Sequence, residues 1–244
     1  MARFILVHGA FVAGWIWEPL AERLEADGHE IVAPDLPGSG DDPTPIEQVT
    51  LDAYAQRICE LLDEGDEPAI LVANSMGGIV ISEAAARRPD RVKRLVYVAA
   101  FLPGDGQSLV DLTELPEAAD DLVQKTIVVS GDPPVGTLPE TTCQASNQDC
   151  SREVTDWAVA KTGSQVLAPL TQPVSLNPEF ERIPRTYVVC TKDRIVPPAL
   201  QRRLVSDRAV KDVVEMDSGH HPQLSRIDEL AGVLHQRARE QVPA

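Results

Sequence analysis

Ala69-Ile70-Leu71-Val72-Ala73-Asn74-Ser75-Met76-Gly77-Gly78-Ile79-Val80-Ile81 is the stretch on which the reading of this chain turns. It opens with a short apolar run that favours a β-strand. Three small or polar residues follow, and then apolar residues recur at helical spacing as far as Arg88. A serine at such a join lies on a strained strand-to-helix bend that pushes its hydroxyl out of the chain. This is the nucleophile elbow, usually written G-x-S-x-G. Here Ala73 occupies the first position. Crowding by neighbouring backbone on both flanks of the serine demands small residues, and alanine is the least costly departure from glycine.

A serine hydroxyl is a weak nucleophile at neutral pH, so it needs an adjacent base that a third group orients. With an elbow of this kind the partners follow in the order Ser, Asp or Glu, His, each in a loop after a strand. Five histidines are available: His8, His29, His220, His221 and His235. The pair His220-His221 lies just after the strand-like run Asp212–Met216 and before a helix-like stretch from Ile227 to Gln241. His220 fits the role of base best, with His221 the alternative. One strand earlier, Tyr187-Val188-Val189-Cys190 leads into Thr191-Lys192-Asp193. Asp193 is therefore the expected acid, to fix the imidazole tautomer and stabilise the imidazolium. Asp105 competes, because it also follows a strand, although Gly104-Asp105-Gly106 reads more naturally as a turn.

The same chemistry needs two backbone N–H groups aimed at the oxyanion that forms on attack, each worth about 10²–10³ in rate. The residue after the nucleophile, Met76, supplies one. The loop after the first core strand supplies the other. That strand is Phe4-Ile5-Leu6-Val7 and the loop is His8-Gly9-Ala10-Phe11, so Ala10 is the second expected donor. His8 reads as a structural residue that pins this loop.

Strand and helix signals alternate along the chain. Strands are expected at 3–7, 30–33, 69–73, 94–99, 186–190 and 211–216, with helices near 18–27, 51–63, 78–88, 198–206 and 227–241. This βαβ order implies an α/β fold with about six mainly parallel strands flanked by helices. No internal repeat or low-complexity tract interrupts it.

A length of 244 residues and a hydrophobic content of 43% suit one soluble domain with a single core. The net charge of −16 opposes binding to nucleic acid or to an anionic membrane. The apolar run near the N-terminus is too short for a signal segment, and no stretch approaches the ~18 residues of a membrane span. The expectation is a cytoplasmic protein, a monomer or homodimer, with no metal or cofactor. Cys59 and Cys190 read as buried apolar residues. Cys143 and Cys150 are close enough in sequence to pair, with the reduced state expected in the cytosol.

Beyond these local readings, the chain resembles the α/β hydrolases of the methylesterase and hydroxynitrile lyase subfamily. The resemblance rests on Phe4 to Ala10, Gly14-Trp15-Ile16-Trp17, Ala33 to Gly40, Leu71 to Gly78, Ala99-Ala100-Phe101-Leu102-Pro103, Val189 to Asp193 and Gly219-His220. It implies the triad Ser75, Asp193 and His220 and favours His220 over His221. It implies hydrolysis of small, mostly apolar carboxylic esters through an acyl-enzyme, with a small-molecule ester as partner. Other chemistry on the same triad and a non-catalytic receptor role are the alternatives. Esterases of the subfamily resemble this chain in having glycine at position 9, where the lyases have threonine. The lyases also place a lysine after the catalytic histidine, where this chain has His221.

The resemblance further implies a core at 1–103 and 182–244, with a largely helical cap at 104–181. Helical pieces are expected at Leu115–Lys125 and Ser151–Lys161. Phe11 and Leu102 are expected to touch substrate, as are Gly9 and His221. Trp157, Leu109, Leu112 and Val154 are candidates for the acyl pocket, while Trp15 and Trp17 pack behind the oxyanion loop.

Overall fold

The computed structural model describes residues 1–240. The chain begins with β1 (Arg3–Val7), α1 (Glu18–Ala26), β2 (Glu30–Val32) and α2 (Leu51–Glu64). Next come β3 (Ala69–Asn74), α3 (Gly77–Arg87) and β4 (Val92–Val98). A long insert then holds α4 (Leu109–Thr113), α5 (Leu122–Thr126), β5 (Val128–Ser130), β6 (Val135–Thr137) and α6 (Glu140–Ser146). It continues through α7 (Arg152–Lys161), β7 (Gln165–Val166), α8 (Ala168–Thr171) and α9 (Pro178–Arg182). The chain returns with β8 (Arg185–Cys190), α10 (Pro198–Asp207), β9 (Asp212–Met216), α11 (Pro222–Ser225) and α12 (Ile227–Arg239). The expected end of the last helix at Gln241 lies outside the described residues.

Six parallel strands form the main sheet in the order β2-β1-β3-β4-β8-β9. Its central strands are apolar on both faces because helices cover both. Ile5, Val7, Leu71, Ala73, Leu95 and Tyr97 pack on the side of α2 and α3. Their alternating neighbours Phe4, Leu6, Ile70, Val72, Val96 and Val98 pack on the side of α1 and α12. The period-two alternation thus feeds two cores from one run of hydrophobic residues.

The chain leaves β1 toward β2 and then crosses back to β3 on the other side. Adjacent loops at the C-terminal ends of β1 and β3 therefore diverge, opening the crevice where open α/β sheets accept ligands. The insert joins the C-terminal end of β4 to β8 and lies over this crevice.

Two expectations for the insert need correction. Leu115–Lys125 is not one helix: Pro116–Ala118 is a single 3₁₀ turn, and α5 starts afresh at Leu122. Pro116 opens that turn at a first helical position, where its missing N–H costs nothing. Asp121 then caps the new one, its Oδ1 accepting from the N–H groups of Val123 at 2.7 Å and Gln124 at 3.3 Å. The insert also contains a three-stranded antiparallel sheet, β5-β6-β7, which the sequence reading missed. Among the described residues, no helix is long and apolar enough to cross a membrane.

Candidate active site

Ser75 stands where β3 ends and α3 begins, with a backbone φ of 54°. A non-glycine residue in this left-handed region is strained, and its surroundings hold it there. Its carbonyl accepts from Gly78 N–H at 3.1 Å and Phe101 N–H at 3.0 Å, which ties the bend to α3 and to the loop after β4. The flanking glycines answer to close packing. A Cβ at Gly77 would lie 2.7 Å from the Val7 carbonyl oxygen, and one at Gly78 would collide with the Phe101 carbonyl oxygen. At position 9, a Cβ would come within 2.8 Å of the Ser75 Cβ.

Asp193 and His220 meet across the ends of β8 and β9. His220 Nδ1 donates to Asp193 Oδ2 at 2.7 Å, and both residues are buried. The other carboxylate oxygen of Asp193, Oδ1, accepts from the N–H groups of Ile195 at 2.7 Å and Val196 at 3.1 Å. Gln201 Nε2 donates to Oδ2 at 3.1 Å. A carboxylate held by these three other donors presents one fixed face to the imidazole. The competing acid Asp105 accepts from Leu176 N–H at the insert and makes no bond to either imidazole.

Ser75 and His220 line one cavity of about 250 Å³, together with Gly9, Ala10, Phe11, Met76 and His221. This volume is near the lower end of the usual small-ligand range. Neither Ala10 N–H nor Met76 N–H has an acceptor among the described residues. Phe11 has φ 65°, and its carbonyl accepts from Gly163 N–H at 2.8 Å, which joins the loop to the insert. His8 lies beneath the loop. Leu36 N–H donates to its Nε2 at 3.0 Å, so Nδ1 carries the proton and donates to the Gly9 carbonyl at 2.8 Å. Burial lowers its pKa to about 4, which keeps this bridge neutral.

The structure separates the remaining pocket candidates. Leu109 lines the cavity, but Leu112 and Val154 do not. Trp157 does not line it either. Its ring packs edge-on against Trp15, centroids 5.0 Å apart, under the Lys161 ammonium. The helical phase of α7 turns Trp157 toward the α1 side of the molecule. Leu102 is fully buried in the core, and Phe101 faces the cavity in its place. Cys143 lines the cavity as a free thiol, and Cys150 is also free.

Several side chains that position the site gave no signal in the sequence. Asn74 Nδ2 donates to the carbonyls of Val98 at 2.9 Å and His220 at 3.0 Å, linking the elbow to the base-bearing loop. Gln201 holds the acid. From the insert, Asp149 Oδ2 accepts from Gly219 N–H at 2.8 Å, and Asn147 contacts His221. Asp121 lines the cavity with a carboxyl whose pKa burial raises. Such tertiary roles depend on contacts distant in sequence, so no local pattern marks them. Among the described residues, no three His, Cys, Asp or Glu side chains are grouped as metal ligands would be.

Comparison with known proteins agrees with this geometry. The profile of the alpha/beta hydrolase family matches residues 4–233. Methylesterase 7 of Arabidopsis thaliana is 32% identical over 247 residues, covering 95% of this chain and 94% of that protein. The alpha-hydroxynitrile lyase of the same plant is 32% identical, covering 89% of each. The crystal structure of a pyrethroid hydrolase from Sphingobium faniae superposes with a TM-score of 0.89 at 25% identity, covering 97% of both chains. With its elbow, its parallel sheet and these relatives, the chain belongs to the alpha/beta hydrolase family, in the branch that holds the methylesterases and the hydroxynitrile lyase.

Proposed function

We propose that this protein hydrolyses carboxylic esters of small, mostly apolar compounds through an acyl-enzyme on Ser75. One observation carries the reading: His220, paired with the buried Asp193, shares a small cavity with a serine on a strained elbow. Its relatives named methylesterases support ester hydrolysis.

In this mechanism Ser75 Oγ attacks the ester carbonyl carbon while His220 Nε2 takes the hydroxyl proton. The carbonyl oxygen becomes an oxyanion, which the N–H groups of Ala10 and Met76 stabilise. When the tetrahedral intermediate collapses, the bond to the alcohol oxygen breaks and His220 returns the proton to that oxygen. Water then gives a proton to His220 and attacks the acyl carbon. The acid leaves, and Ser75 recovers its hydrogen. Asp193 keeps the Nδ1–H tautomer throughout and stabilises the imidazolium. Neither metal nor cofactor has a part in this scheme. The insert serves as a lid in the same reading, over a small-molecule substrate in a cytoplasmic setting.

Hydrolysis is favoured over cyanohydrin cleavage by the chemistry at position 221. Among the described residues no lysine or arginine lines the cavity, so a departing cyanide would meet no basic side chain of that kind.

The test is turnover of p-nitrophenyl esters from acetate to octanoate by wild type and Ser75→Ala. Wild type should prefer the short acyl chains that the cavity can hold. The variant should lose roughly 10⁵–10⁶-fold in kcat. Full activity in Ser75→Ala would sink the reading. A folded wild type that neither turns over these esters nor labels at Ser75 with a serine-reactive phosphonate would point to ligand binding instead.

A further inference from the structure

The cavity contains a second imidazole that the proposed hydrolysis leaves unused. His221 is buried, lines the cavity, and has its ring centroid 4.9 Å from that of His220. Its Nδ1 lies 2.9 Å from Asn147 Oδ1. The orientation of the Asn147 amide follows from its other contact: Nδ2 donates to the Cys143 carbonyl at 2.8 Å, and that oxygen can only accept. The amide oxygen therefore faces His221. It too can only accept, so Nδ1 of His221 carries the proton. Burial, and then the neighbouring His220, hold the His221 pKa well below the ordinary imidazole range, so the ring stays neutral. Its Nε2 is thus a lone-pair acceptor. Because Nδ1 is turned to Asn147, Nε2 is the nitrogen left for the cavity, and it has no hydrogen-bond partner among the described residues.

The rest of the wall is mostly apolar and, among the described residues, carries no cation. Asp121 adds a carboxyl to a lining that holds no lysine or arginine. A carboxylate on the substrate, away from the scissile bond, would find no cation there. A hydroxyl would find an acceptor already built and oriented. We propose that His221 is a specificity-determining residue whose Nε2 accepts a hydrogen bond from a substrate hydroxyl, so that the site selects neutral hydroxylated esters over their deoxy counterparts. Asn147 is its positioning residue, since it sets which nitrogen faces the ligand. The word ester here rests on the function proposed above, whereas the hydroxyl preference rests on the tautomer alone.

Two matched pairs of esters read the preference. Ethyl 3-hydroxybutanoate against ethyl butanoate places the hydroxyl on the acyl side. 2-Hydroxyethyl butanoate against propyl butanoate places it on the alcohol side. In at least one pair, wild-type kcat/KM should favour the hydroxylated ester by about two- to tenfold, the range of one net hydrogen bond. NMR titration of Ser75→Ala with the same four esters should give a matching ratio of Kd values with no turnover. In His221→Phe the ratio should fall to about one. A purely structural role for His221 would weaken all four esters alike and leave the ratio standing. Asn147→Leu, which releases the tautomer, should also lower the ratio, and it serves as the test if His221→Phe does not fold. A ratio of one in both pairs for wild type, or a ratio that survives in both variants, overturns the inference. Turnover without the preference sinks this inference alone. Preferential binding to Ser75→Ala, with no turnover by wild type, supports it and sinks the esterase reading.

Discussion

Ser75 and Asp121 line one cavity, yet the two positions are fixed by different means. Ser75 follows a six-residue strand paired on both sides in parallel register, and its carbonyl is tied to α3 and to the loop after β4. Asp121 sits at the head of a five-residue helix, held by its own side-chain bonds to that helix's first N–H groups. The sheet side is thus set by backbone that many residues share. The insert side is set by single side chains on short elements. Such a division puts the serine on the rigid scaffold and leaves part of the cavity wall to a segment that tolerates change.

The contrast makes graded predictions. The largest effect should come from the sheet side. Asp193→Asn should reduce kcat by about 10⁴-fold while leaving the fold intact, because the amide favours the wrong imidazole tautomer. Steady-state kinetics with a circular dichroism control reads this, and a loss below tenfold would break the assignment of Asp193. Next in size is Gly78→Ala. The added methyl meets the Phe101 carbonyl oxygen, so unfolding free energy should fall by about 3 kcal/mol in urea titration. A change within 0.5 kcal/mol, to take roughly the spread of ordinary surface substitutions, would show that the elbow is softer than its packing implies.

The neutral bridge at His8 gives a pH-dependent effect of intermediate size. Its folded pKa of about 4 is depressed below the unfolded value of 6.5, so the unfolded state binds more protons between those two values. Its contribution to stability is complete above pH 6.5 and is lost as pH falls toward 4, at up to about 1.4 kcal/mol per pH unit. Urea midpoints measured from pH 7 to 5 should fall, and His8→Gln should flatten that slope. An unchanged slope would remove His8 from the account. The smallest effect should come from the insert. Asp121→Ala removes a helix cap worth about 1 kcal/mol, and thermal unfolding should register a shift of only a few degrees. A loss as large as that from Gly78→Ala would erase the distinction between the two regions.

What could be read from sequence follows the same line. Strands β1, β3, β4 and β8 announce themselves because apolar runs buried on both faces have few alternatives. The elbow is legible because close approach forces small residues at fixed offsets around Ser75. The positions of Asp193 and His220 followed from counting strands, since each lies in a loop just past one. Inside the insert those signals fail. β7 has two residues and β5 and β6 three each, too short for a period to emerge. Trp157 looks like a pocket residue by composition, but its place depends on how α7 is rotated against Trp15. Asn74, Gln201 and Asn147 are ordinary polar residues in sequence. Their partners lie on other elements, so only the folded chain reveals what they hold.

A Cβ added at position 9 would lie 2.8 Å from the Ser75 Cβ, which also limits the substitutions this site can accept. Here a side chain at that position would press on the nucleophile's own Cβ before it could contribute a hydroxyl to new chemistry. Accommodating it would require the elbow to shift, and that shift would disturb Ser75 itself. The two positions are sterically coupled, and a laboratory search for a new reaction should vary them together.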